Sequence, residues 1–159
     1  MKKRIIQSAI LIIILAFGFM IYSNEKKIQT AKGIGMDENH PFLKLYQKEF
    51  EDQTIICAAE EDVNNDGKKD LVVVYNAEGD EKNHSIVLIN KDDKNYILSK
   101  TAVAPRENVE VKFKNIDDKD NIEFIISGSK DGNYGYAIYR LEEDLEIRDL
   151  FSEDMEDCC

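Results

Sequence analysis

Hydrophobic positions along the chain change period twice. From Ile5 to Tyr22 they run almost unbroken, interrupted only by Gln7, Ser8 and Gly18. At about 1.5 Å of rise per residue, such a run is just long enough to cross a bilayer as a helix. Behind Pro41 the apolar residues Phe42, Leu45, Tyr46 and Phe50 recur at spacings of three and four, which predicts a short amphipathic helix from 41 to about 52. From residue 53 onward the period is that of strands. Runs rich in Val, Ile, Tyr and Phe predict strands over 54–58, 70–75, 85–90 and 96–102, then over 109–114, 122–127, 134–141 and 145–151. The polar stretches at 76–80, 90–95 and 130–133 have the chemistry of hairpin turns.

The strand region repeats itself. Val63 matches Ile116, Asp70 matches Glu123 and Leu71 matches Phe124, all at an offset of 53 residues. An offset kept across a loop and the strand behind it points to a duplicated β unit. In the first unit Asp62, Asn64 and Asp66 fall at alternate positions, followed by Gly67, Lys68 and Asp70. Hard oxygen ligands at that spacing suit calcium, with Lys68 contributing a backbone carbonyl. Val73 stands where an EF-hand carries its last glutamate, so the loop is of another kind. It resembles the Asp-x-Asn-x-Asp-Gly-x-x-Asp-Leu loops of FG-GAP and VCBS-type propeller repeats, a resemblance that implies a bound structural calcium. In the second unit Lys119 replaces the ligand of Asp66, and this predicts a metal-free loop whose lysine neutralises Asn115, Asp117 and Glu123 locally.

The expected fold is therefore mainly β. It comprises an N-terminal transmembrane helix over 1–22, a linker over 23–39, a small antiparallel β domain of two duplicated propeller-blade-like units over 40–151 with its short amphipathic helix, and an acidic tail over 152–159.

Charge sets the compartment. Lys2, Lys3 and Arg4 precede the apolar run and predict a cytoplasmic N-terminus with the remainder of the chain outside. A cleaved signal peptide is the alternative, but the run exceeds a usual signal core and Phe19-Met20-Ile21-Tyr22-Ser23-Asn24 offers no small-x-small cleavage pattern. The chain carries 21 basic and 32 acidic residues, a formal net charge of -11. Nucleic acid is excluded as a partner by that balance, and anionic headgroups repel the exported part.

The tail carries the most distinctive chemistry. Ser152-Glu153-Asp154-Met155-Glu156-Asp157 leads into the adjacent thiols of Cys158 and Cys159. Neighbouring Cα atoms lie about 3.8 Å apart, whereas disulfides prefer roughly 4.4 to 6.8 Å, so a bond between the two is strained and easily reduced. The surrounding carboxylates disfavour thiolate and make these slow nucleophiles near neutrality. A soft cation reverses that balance: Glu156 and Asp157 attract it, and coordination displaces the thiol protons. Met155 offers a thioether beside them. Adjacent thiols span a linear two-sulfur site poorly, so a third ligand or a partner's thiol is expected. Cys57, in the apolar stretch Ile55-Ile56-Cys57-Ala58-Ala59, reads as a buried free cysteine, with pairing to the tail left open. His40 and His84 stand too far apart in sequence to argue a zinc site. No Gly-rich phosphate loop or Ser-His-Asp set is present, so catalysis is not expected.

The membrane-anchored N-terminus, the acidic β-rich domain and the closing Asp157-Cys158-Cys159 together resemble the Cys-Cys-COOH (seleno)protein family called SaoC, for selenocysteine-assisted organometal handling. The resemblance implies a part in detoxifying organomercurials or related heavy metals beside an organometallic lyase and a metal transporter. Two other functions stay open. The tail could exchange disulfides with an extracytoplasmic thioredoxin-like protein, or the domain could be a calcium-stabilised interaction module.

Overall fold

Leu71, Val72, Val73 and Val74 leave a strand no polar face, and such a strand needs cover on both sides. A computed structural model of the chain, which describes residues 33–117 and 121–151, provides that cover. From Ile34 onward these residues belong to one compact unit.

One sheet holds β1 (Gln53–Glu61), β2 (Asp70–Ala77), β3 (Asn83–Asn90), β4 (Tyr96–Leu98) and β5 (Ala102–Ala104). Its neighbours are antiparallel in the order β1-β2-β3, with β4 and β5 pairing along successive parts of β3. The other sheet is an antiparallel meander of β6 (Glu107–Lys114), β7 (Glu123–Lys130), β8 (Asn133–Leu141) and β9 (Ile147–Asp149). Between β7 and β8, Asp131 and Gly132 have φ of 52° and 79°, the paired positive values of a tight type I′ turn.

Two hydrophobic clusters build three layers. Val72, Val74, Val87 and Ile89 of the first sheet meet Phe124, Ile126, Tyr139 and Leu141 of the second. On the opposite face of the first sheet, Leu71, Val73, Tyr75, Ile86 and Leu88 receive helix α1 (Pro41–Glu49) through Phe42, Leu43 and Tyr46. The first sheet is thus the middle layer, which explains why its strands are apolar throughout. The outer face of the second sheet is solvated, so β6 alternates exposed and half-buried residues.

Three details differ from the sequence-based expectation. Helix α1 buries Leu43, while Leu45 is 42% exposed, so the apolar face is rotated toward Leu43. Ile34 and Met36, expected in a linker, already pack on the second cluster, and the Ile34 carbonyl accepts the Ala58 N–H at 2.6 Å. The strand expected over 96–102 is divided at Ser99. Its hydroxyl accepts the Val87 N–H at 2.9 Å and donates to the Lys100 carbonyl at 2.7 Å, while Lys100 N–H turns to Leu145 O. A side chain has taken over a ladder position there, and the backbone leaves the sheet before returning as β5.

Gly128 of β7 lies tight against the connection from β5 to β6. A Cβ added there would lie 2.6 Å from Pro105 Cβ and 2.7 Å from the Glu107 carbonyl oxygen. Gly128→Ala is expected to lower stability by roughly 1–3 kcal/mol, the usual cost of overpacking. Urea unfolding that shows an unchanged midpoint would contradict this packing.

Candidate cation loops and the thiols

The first acidic loop joins β1 to β2. Asn65 at φ 56° and Gly67 at φ 85° turn the chain tightly enough for its own side chains to fold back on it. Asp62 accepts the Asp66 N–H at 3.0 Å on Oδ1 and the Gly67 N–H at 2.8 Å on Oδ2. Asn64 Oδ1 accepts the Asp66 N–H at 3.1 Å, and its Nδ2 donates to Asp66 Oδ2 at 3.3 Å. Asp66 Oδ1 in turn accepts the Lys68 N–H at 2.9 Å. The structure therefore brings Asp62, Asn64 and Asp66 together, with their oxygens turned mainly onto backbone N–H groups. Among the described residues no three His, Cys, Asp or Glu side chains are gathered as a ligand set for a metal ion.

Asp70 opens β2 and is fully buried. Its Oδ2 accepts the Val63 N–H at 3.2 Å and its Oδ1 the Asn90 N–H at 2.9 Å, so one carboxylate ties the loop and β3 to the start of β2. Burial pushes its pKa up to about 6; the Asn90 N–H opposes this, Asp66 reinforces it, the Val63 N–H opposes it and Asp62 adds to the rise. Lys68 and Lys69 do not neutralise the group. The Lys68 ammonium donates to Lys91 O at 2.6 Å, and the Lys69 ammonium pairs with Glu60 at 3.2 Å.

The second loop joins β6 to β7 on the same frame. Glu123 is fully buried and its Oε2 accepts the Ile116 N–H at 2.8 Å, across the same seven residues that separate Val63 from Asp70. Lys119, expected to neutralise this loop, lies outside the described residues. The described cation is Arg140 of β8, a residue that sequence reasoning missed. Its Nη1 stands 2.6 Å from Asp117 Oδ2 and 3.5 Å from Glu123 Oε1, while Nε and Nη2 donate to Glu142 Oε1 at 3.2 and 3.1 Å. The available signal was a single arginine in the otherwise uncharged run Tyr134-Gly135-Tyr136-Ala137-Ile138-Tyr139-Arg140-Leu141. It follows Tyr139, which pairs with Phe124, the residue after Glu123.

Cys57 is buried in the cluster between the sheets, and burial pushes its thiol pKa up. It is a poor nucleophile and a poor ligand in that setting. Glu156, Asp157, Cys158 and Cys159 lie outside the described residues, as does the expected membrane span. Among the described residues no helix is long and apolar enough to cross a membrane. His40 pairs with Glu60 at 3.1 Å and His84 with Asp80 at 2.8 Å, so the two histidines serve separate local contacts. Compared with known proteins, the chain matches no family model, no curated protein and no solved structure.

Proposed function

We propose that this is a membrane-anchored extracytoplasmic dithiol protein that binds or relays a soft heavy metal or organometal of the mercury type. The observation that carries the reading is the adjacent Cys158-Cys159 pair behind Glu153, Asp154, Glu156 and Asp157. Carboxylates concentrate the cation, and the thiols supply the soft donors that hold it. The burial of Cys57 is compatible with the same reading, because it removes that thiol as a competing ligand. An organometallic lyase, a thioredoxin-like protein or a metal transporter is the class of partner that would deliver or receive the cargo. Removing Cys158 and Cys159 is expected to abolish tight mercuric binding by the full chain. Equal affinity with and without them would contradict the proposal.

The domain itself is two duplicated blade-like units. Equivalent pairs begin the two meanders, Glu61 with Asp70 and Lys114 with Glu123, and equivalent carboxylate latches close both loops. A second reading, calcium bound structurally at the first loop, is favoured by the hydrogen bonds that hold Asp62, Asn64 and Asp66 in one tight loop, while Lys68 and Lys69 point to other partners. With the Lys68 backbone carbonyl as a further ligand, the donor set would be all oxygen and would suit a hard cation.

A further inference from the structure

The two loops share a frame but differ in where positive charge comes from. Aligned at the offset of 53 residues, Asp117 stands where Asn64 does and Glu123 where Asp70 does. In the second loop a guanidinium reaches both of those positions, at 2.6 Å from Asp117 and 3.5 Å from Glu123. Its side chain is 7% exposed, and Glu123 is fully buried. In the first loop the nearby ammonium groups go instead to Lys91 O and to Glu60.

We propose that Arg140 is a built-in cation, holding in the second loop the place that a divalent ion would take, so that this half of the domain is set without metal. Three carboxylates converge there, from Asp117, Glu123 and Glu142, and a buried carboxylate is tolerated only when paired and hydrogen-bonded. A guanidinium suits the task because its planar fork serves several oxygens at once: Nη1 takes Asp117 and Glu123, and Nε with Nη2 takes Glu142. Arg148 adds a more distant contact to Glu142 at 3.8 Å. Arg140 is positioned by rigid elements, since β8 pairs with β7 from Phe124 opposite Tyr139 onward to the hairpin. Take the guanidinium away, and the carboxylates of Asp117, Glu123 and Glu142 lose the cation they share. Clustered carboxylate oxygens of that kind select calcium over monovalent ions.

The inference does not depend on calcium at the first loop, and the test silences that loop. In the full chain carrying Asp66→Asn, Arg140→Ala and Arg140→Lys are compared by thermal melting in chelator, in CaCl2 and in NaCl of matched ionic strength. Arg140→Ala is expected to melt several degrees lower in chelator and to recover at least half of the loss, saturably, in CaCl2 but not in NaCl. Arg140→Lys is expected to melt closer to its parent and to gain no more from calcium than the parent does. An Arg140→Ala variant that responds to calcium no more than its parent would overturn the proposal, as would an Arg140→Lys variant with the full loss. If Arg140→Ala is unfolded in chelator, return of the folded far-ultraviolet spectrum on adding CaCl2 supports the proposal and failure to return overturns it.

Discussion

Replacing Phe124 by alanine is expected to cost about 3–5 kcal/mol, the largest single loss from any one core position. Phe124 is fully buried on β7, flanked by Phe113 of β6 and Tyr139 of β8. Its ring lies 5.7 Å from that of Tyr139, whose hydroxyl reaches across to the Val103 carbonyl at 2.7 Å. The same cluster includes Val72, Val74, Val87 and Ile89 of the other sheet, so Phe124 is a keystone of the contact between layers. Removing it takes away the transfer energy of the ring and leaves a cavity that paired strands on both sides cannot close. Leu45→Ala is the control, because Leu45 is exposed and should change stability by no more than about 0.5 kcal/mol. Urea denaturation at constant slope measures both. A loss below about 1 kcal/mol at Phe124 would mean that the sheets are not packed as described.

The second large effect is one of pH. Asp70 has a folded-state pKa near 6 against an ordinary value of 3.8, so the folded protein holds this proton more tightly than the unfolded chain does. The stability it contributes is fully present below the ordinary value and is lost as pH rises through about 6. A shift of that size corresponds to a change on the order of 3 kcal/mol between pH 4 and pH 7. Other carboxylates act in the opposite direction: Asp37, Asp80 and Asp92 are held below the usual range by hydrogen bonds from Asn39, from Lys82 and His84, and from Asn95 and Lys94. The measurement is therefore the difference between the native chain and Asp70→Asn, whose amide does not titrate. In chelator the native chain should gain on the variant as pH falls from 7 to 4. Calcium at the first loop would favour the ionised carboxylate and flatten that gain. A difference independent of pH in chelator would contradict the buried, doubly bonded Asp70.

The mainly β architecture and most of its strands were legible because burial on both faces leaves a strong mark. The Val72-Val73-Val74 and Ile86-Val87-Leu88-Ile89 runs have no polar alternation to confuse with a helix, and Asp131-Gly132 announces its turn. The repeated acid at Asp70 and Glu123 was legible too, since both loops need an acceptor for the amide seven residues earlier. What escaped depends on contacts distant in sequence. Nothing local distinguishes Leu43 from Leu45 until the helix meets β2 and β3. Ser99 divides a strand only because the Val87 N–H is there to donate to its hydroxyl. Arg140 reads as an ordinary polar position of a half-exposed strand, and its role follows from the pairing of Phe124 with Tyr139, which brings it beside Glu123, 17 residues earlier.

The proposed metal binding rests on the soft donors of the tail rather than on the β domain that carries them. The direct test is competitive titration of the full-length protein with mercuric ion against a small dithiol chelator, followed by the thiolate-to-mercury absorbance band. The native chain and Cys57→Ala should bind alike, because Cys57 is shut between the sheets. Cys158→Ser combined with Cys159→Ser should lose the competition outright. Undiminished mercuric affinity in that double variant would contradict the claim.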